Sequence, residues 1–495
     1  MIKKMISPII AIVTSLAFLS ASAFADASNF KETLAPFPPA LQGWSAYGSS
    51  IKFSADLTQM AYVAGRNKKF AIVKDGKPGP LFDAIGQDTP VFSPDGKHLA
   101  YKAQKGGAWR MVVDGKEQAS YEAVSLPLFS PDSSRILYAG KNREGKQCPV
   151  ADGREAGCFD AVLQNTMRFS ENSARWAVVV MKKNQQVAIV DGKEGKAFEK
   201  ISPVLFSPDG SRLAYAASRA GKWMMVVDGK ESAAYDATGV YVFSPDSRHI
   251  HYTVSRGEKW HMVTDGQESA AYDGIGIPAF SPDGKRMSRL VVRDKKWLMI
   301  VDGREQPAWD EIQVFSYSPD SRRFAYNARK GKQWFIVSDG QAREAYDAVS
   351  MPVFSSDSKH LGFSAKRGEK SFVVVDGREG IAYNAVSTPL FSPDGKRFCH
   401  LAQKEGIWLV VADGKEGPAY ASVGNPAWSP NSKDLAYMAE RSGQWLVCVN
   451  GKQARNVFSG FLKGTSLQFI ASDRIRTLAL KTGPEFIRYE IELDQ

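Results

Sequence analysis

The chain has 495 residues, of which 43% are hydrophobic, and carries a formal charge of +11. On length alone it has room for about three domains, and its composition suits a soluble β protein. Beyond residue 25 no stretch is long and apolar enough to span a membrane as a helix, which excludes a helical membrane protein as the mature form.

Residues 1 to 25 read as a secretory leader, with Lys3 and Lys4, an apolar run over residues 9 to 19, and small residues ending in Ala23-Phe24-Ala25. Cleavage is expected before Asp26, giving a periplasmic or secreted protein. Loss of Lys3 and Lys4 lowers the charge from +11 to +9. No Cys lies near the boundary, so no lipid anchor is expected. Residues 26 to 41 are expected as a linker and residues 42 to 495 as a single repeat array.

The array is built on a period of 37 residues. An aromatic anchor, then Ser and a turn, recurs at Phe53, Phe92, Phe129, Phe169, Phe206, Phe243, Phe280, Tyr317, Phe354, Phe391 and Trp428. Units of this length cannot bury an apolar face alone and are stabilised by stacking on their neighbours. Residues 206 to 242 are the clearest copy. Strand A ends in Phe206, and Ser207-Pro208-Asp209-Gly210 reverses the chain, because Pro presets φ, Asp bonds nearby backbone and Gly accepts φ > 0. Strand B spans residues 212 to 216, and strand C, opened by Trp223, ends before Asp228-Gly229, a hairpin pair that tolerates positive φ at both residues. Strand D runs through Tyr235. Aromatics opening strand C, such as Trp260 and Trp297, and late in strand D, such as Tyr272 and Tyr346, are read as packing residues.

Four antiparallel strands per repeat predict an all-β fold, a β-propeller of four-stranded blades. Eleven copies are followed by a partial one at residues 466 to 493, and residues 44 to 47 precede the first anchor as a D strand does elsewhere. Pairing the N-terminal strand with the last blade is expected to close the array and hide two sheet edges. That makes about twelve blades, and the unbroken period from Phe169 to Trp428 favours one large ring over two of six blades.

The run from Ser93-Pro94-Asp95-Gly96 through Tyr101, repeated from Ser207-Pro208-Asp209-Gly210 through Tyr215, resembles the TolB-like and WD-repeat-like propeller family over nearly the whole mature chain. The stretch from Trp223 to Tyr235 is also similar to short Trp-Gly-type bacterial repeats. The resemblance implies a propeller fold and a periplasmic interaction module, and says little of function, because the shared residues belong to turns and core.

Candidate chemistry is sparse. His249 and His251 share a strand face and His261 lies in the next strand, but no carboxylate or fourth ligand accompanies them, and His98 and His360 fall in the phase of His249 where other copies carry Arg212 or Arg397. The repeated turn Asp residues are read as caps, since one carboxylate per repeat makes no calcium cluster. No nucleophile elbow or phosphate loop occurs, and no metal, cofactor or catalytic set is expected. Cys148 and Cys158 flank Asp152-Gly153 five residues either side of Gly153; a three-residue loop would oppose them, an arrangement that allows a disulfide. Cys399 and Cys448 are expected as buried free thiols.

The strongest functional signal is charge. Alternate connections of a blade lie at the same end, so the B-to-C loops share one face with the crossovers between blades. Those loops carry Lys105, Arg219 and Lys222, Arg256 and Lys259, Lys295 and Lys296, Arg329 and Lys332, and Arg367 and Lys370. A crown of this kind favours anionic partners through a screened field. The expectation is an exported, non-enzymatic scaffold that binds a protein, anionic polysaccharide or lipid headgroup. Export disfavours nucleic acid. The alternatives are a lactonase-like or polysaccharide-acting propeller enzyme with a central site, and a purely structural envelope protein.

Overall fold

A computed structural model of the chain describes residues 30 to 37, 41 to 462, 466 to 481 and 485 to 493; the leader and its cleavage point lie outside the described residues. Among these residues the chain forms twelve antiparallel sheets, each of four strand positions, and a single 3-10 turn at Gly48–Ser50. The sheets follow one another in chain order.

Sheet five shows how one repeat folds. Strand A comes in two halves, Lys200–Ile201 and Leu205–Phe206, both paired with strand B at Leu213–Arg219. Strand C is Lys222–Val227, and strand D starts at Lys230–Glu231 and ends where Tyr235 bridges back to Trp223. Asp228 (φ 49°) and Gly229 (φ 78°) make the tight C-to-D hairpin with both residues left-handed. The A-to-B turn is held by Ser207, fully buried, whose hydroxyl donates to Asp209 Oδ1 at 2.6 Å and accepts from Arg212 N at 2.9 Å.

The break in strand A leaves no trace in the hydrophobic pattern. A hydroxyl serves the bend: Ser202 Oγ accepts from Ala216 N of strand B at 2.8 Å, replacing the lost ladder bond. Ser125, Thr166, Ser350 and Ser387 serve their own sheets in the same way. These residues stand three or four positions ahead of their own anchors, a signal that a period-of-two reading passes over.

The core lies between sheets. The aromatics late in strand D are buried: Phe82 is 1% exposed, Phe198 1%, Tyr235 4% and Tyr346 3%. Tyr272 of sheet six packs with Val291 and Ile300 of sheet seven, and Tyr383 of sheet nine with Ala402 and Val411 of sheet ten. Burying such aromatic and aliphatic side chains contributes roughly 1.5–3 kcal/mol each, which is why one repeat depends on its neighbours.

The first and last described strands meet. Lys31–Pro36 pairs antiparallel with Phe486–Glu492, in register from Lys31 opposite Glu492 to Pro36 opposite Ile487, and supplies the fourth strand of sheet twelve. Two expectations are corrected here. Part of the stretch read as linker is a strand, and residues 44 to 47 do not form the closing strand, since Ser45–Ala46 instead begins strand A of sheet one against Met60–Arg66. The closing segment, KETLAP, lacks the aromatic and the Asp-Gly pair that mark strand D elsewhere, so nothing in the repeat pattern points to it. Glu32 fixes it by accepting from Arg455 N at 2.7 Å, Asn456 Nδ2 at 2.5 Å and Tyr489 Oη at 2.6 Å. Sheet twelve also packs on sheet one, where the rings of Phe486 and Phe53 lie 5.3 Å apart and Arg476 donates to the Asp56 carbonyl at 2.9 Å.

Candidate functional site

The B-to-C loops and the crossovers share one end of the sheets, as expected, because they bond each other. Lys222 pairs with Asp236 of its own crossover at 2.5 Å, and the second oxygen of Asp236 accepts from Gly257 N in the loop of sheet six at 2.6 Å. Asp83, Asp160, Asp273 and Asp310 repeat this clamp, each holding a Lys of one loop and a backbone N–H of the next. The Lys partner and the backbone donor together hold these four carboxyls below the usual range.

The loop arginines are engaged as well. Arg219 pairs with Glu231 at 3.0 Å, Arg256 with Glu268 at 2.8 Å and Arg367 with Glu379 at 2.9 Å, and each guanidinium lies over a ring of the preceding strand D, Phe198, Tyr235 and Tyr346 respectively. Lys105 pairs with Glu117 at 2.8 Å and Arg329 with Glu311 at 2.9 Å. Of the eleven basic residues predicted for this end, Lys259 and Lys296 are likewise paired, and three, Lys295, Lys332 and Lys370, form no ion pair among the described residues. All three are exposed and sit in sheets seven, eight and nine. The sequence does hold the signal for this neutralisation. A carboxylate follows most of the paired loop cations at a fixed spacing, 12 residues from Arg219 to Glu231 and 14 from Lys222 to Asp236, whereas Asn384 stands 14 residues after Lys370.

The opposite end carries the two tight turns and its own cross-links. Arg212 donates to Asp228 at 2.9 Å, reaches the Arg248 carbonyl of sheet six, and lies 5.3 Å from the Phe243 ring. Arg286 and Arg397 act alike. His98, His249 and His360 occupy this phase, each bonded to the Asp of its own hairpin, so the expected polar strand position is what the structure shows. The turn Asp residues are caps: Asp95 and Asp209 are held at about 2, first by the hydroxyls of Ser93 and Ser207 and then by backbone N–H groups.

His249, His251 and His261 do not converge on one point. His251 Nδ1 bonds Thr264 Oγ1 at 2.9 Å and His261 Nδ1 bonds the Ser269 carbonyl at 3.0 Å, so the three rings have separate partners. The one cluster of metal-ligating types among the described residues is Cys148, Glu155 and Cys158, and its two sulfurs form a disulfide. The bridge spans strands C and D of sheet three. Its geometry differs from the three-residue loop expected: the turn is the two-residue Asp152-Gly153, with Val150 opposite Glu155, and strand D carries one extra residue before Phe159 bridges Gln147. Cys399 and Cys448 are buried thiols, pushed up to about 12 and about 11 by burial.

Repeated four-stranded antiparallel sheets packed face to face define a propeller-like fold. No known protein family matches the chain, and no curated protein does. Solved structures that match include a eukaryotic initiation factor, at 12% identity over 80% of this chain and 96% of that one with a TM-score of 0.34. TolB from Acinetobacter baumannii matches at 13% identity over 59% of this chain and 79% of its own, with a TM-score of 0.24. Hydrazine synthase of Kuenenia stuttgartiensis matches at 14% over 50% and 95%, with a TM-score of 0.22. Similarity at this level carries no argument about ligands.

Proposed function

We propose that the chain is an exported, non-enzymatic scaffold, a single ring of twelve blades, that binds an anionic macromolecule at the B-to-C loop end of sheets seven to nine. The carrying observation is an accumulation: Lys295, Lys330, Lys332, Lys366 and Lys370 lie exposed on three adjacent sheets without an ion pair among the described residues, whereas unpaired loop cations elsewhere, such as Arg66, Lys68, Arg143 and Lys183, are spread over sheets one, three and four. Unpaired, solvated ammonium groups keep their field for a partner. The scaffold reading is supported by the use of the repeated Asp, Ser and Arg residues, which join one sheet to the next. The one-ring reading is supported by the packing of sheet twelve on sheet one. Export is supported by the Cys148–Cys158 disulfide, a bond that persists in oxidising compartments.

The test is binding of the mature chain to vesicles containing phosphatidylglycerol and to an acidic polysaccharide, in low and high salt. Replacing Lys295, Lys332 and Lys370 together by Ser is expected to weaken binding about tenfold and flatten its salt dependence. Replacing the paired Lys222 and Lys259 by Ser should change it little. Equal affinity of the triple variant and the unaltered chain would sink the assignment.

A further inference from the structure

Clefts open between adjacent sheets at the tight-turn end. Their volumes are about 510 Å³ between sheets one and two, 560 Å³ between seven and eight, 570 Å³ between nine and ten, and 340 Å³ between ten and eleven. Size does not single out any of them. Chemistry does: the residue midway along strand B that lines the cleft is Tyr101, Tyr326 and Tyr437 in three cases, each with one hydroxyl, unpartnered in Tyr326 and Tyr437, and His400 between sheets nine and ten, which has two unpartnered ring nitrogens.

His400 is 6% exposed, and both of its ring nitrogens lack a hydrogen-bond partner among the described residues. Burial drives its pKa down to about 4, so at neutral pH it is an uncharged imidazole with one donor and one acceptor. The walls are aromatic. Phe398 lies parallel to it with centroids 6.4 Å apart, and Tyr383 meets it edge-on at 6.1 Å. The guanidinium that spans this end between sheets seven and eight and between ten and eleven is replaced by His360, which bonds Asp376 of its own sheet and stacks with Phe391.

We propose that the cleft between the ninth and tenth sheets binds a small, neutral aromatic molecule bearing a hydroxyl group, recognised by His400. A hydroxyl offers one donor and one acceptor, the complement of a neutral imidazole. Arg378 and Lys396 also line the cleft, but both are exposed and share it with the carboxyls of Asp376 and Glu379, so the buried part around His400 offers a carboxylate no charge to offset its desolvation. Phe391, Phe398 and Tyr383 supply faces and edges suited to an aromatic ring. This site is independent of the loop end and of what binds there.

The experiment is an NMR titration of the full mature chain with phenol and with benzene, alongside H400L and H400F variants. Phenol is expected to bind saturably and about tenfold more tightly than benzene, the margin of one buried hydrogen bond. H400L should bind both equally. H400F installs the residue that sheet nine carries at this position, Phe363, so it should fold and, having no hydrogen-bonding atom, should lose the preference for phenol. Equal binding of phenol and benzene to the unaltered chain, absence of saturable phenol binding, or an undiminished preference in H400F would each overturn the proposal. Should H400L fail to fold, H400F and the comparison of phenol with benzene in the unaltered chain decide.

Discussion

Arg212 and His249 stand at the same place in adjacent sheets, yet the guanidinium reaches the neighbouring sheet while the imidazole bonds its own hairpin. Replacing His98 by Arg is therefore expected to add an inter-sheet link and raise the melting temperature, with a gain of roughly 0.5 kcal/mol for a half-exposed ion pair with ring stacking. The reverse change, Arg212→His, should lower it by a similar amount. A second prediction concerns acid. His400 is neutral in the fold at about 4 while the unfolded chain takes up its proton near 6.5, so the unfolded state binds more protons across that interval. Its stabilisation is complete above about pH 6.5 and is lost as pH falls towards 4, by roughly 3 kcal/mol, whereas H400Y should show a flatter profile in denaturant titrations. Below that interval, Asp95 and Asp209, held at about 2, surrender their contribution as pH drops from their unfolded value of 3.8. Residue roles were legible in the sequence where the backbone demanded them. Asp228-Gly229 and the Ser-x-Asp turns could be read directly, because positive φ and local capping select few residue types. The empty hydrogen-bonding capacity of His400 could not, since its phase marks an aromatic core position in the sister sheets.

At the level of strands and turns, the variation between Gly and Ser in the tight turn has a structural cause. Gly210 adopts φ 74° without cost, whereas Ser247 holds φ 64° against its preference, and its hydroxyl accepts from Asp209 N of the preceding sheet at 3.0 Å. Ser133, Ser321 and Ser432 make the same bond at their own junctions. The seam is the other element whose logic was hidden. Glu32 is pushed up by burial, but donors from Tyr489, Arg455 and Asn456 outweigh this and leave it below its usual range. Glu32→Ala leaves the Tyr489 hydroxyl, 1% exposed, without its partner, and is expected to cost about 1–3 kcal/mol in thermal or chemical unfolding. In sheet three, Cys158→Ser should cost about 2–3 kcal/mol by freeing a short loop in the unfolded chain. The same loss should follow treatment of the unaltered protein with reductant.

Across the whole molecule, the period predicted the sheets and their order, whereas charge counting does not show which cations of one face are paired. A net excess of cations on the loops is real in the sequence, but Glu231, Glu268 and Asp236 return to those loops from the next strand and crossover. Net charge reports the sum over the surface and not where it is cancelled, which takes the register of strand D to see. Solution scattering bears on the proposed ring: one wide disc with a central hole is expected, and a two-lobed profile would replace it with two smaller rings.

Because Glu32 and Tyr489 are separated by 457 residues, the first described strand is made long before the strand it pairs with. At about 5–20 residues per second, synthesis holds that strand waiting for roughly half a minute to a minute and a half. The inner sheets need only partners close in sequence, yet the seam closes only when residues 486 to 492 are present, so a chain lacking them leaves the strand Lys31–Pro36 without a partner. An unpaired edge of this kind is a template for pairing with other chains, so truncation ahead of residue 486 is expected to promote association.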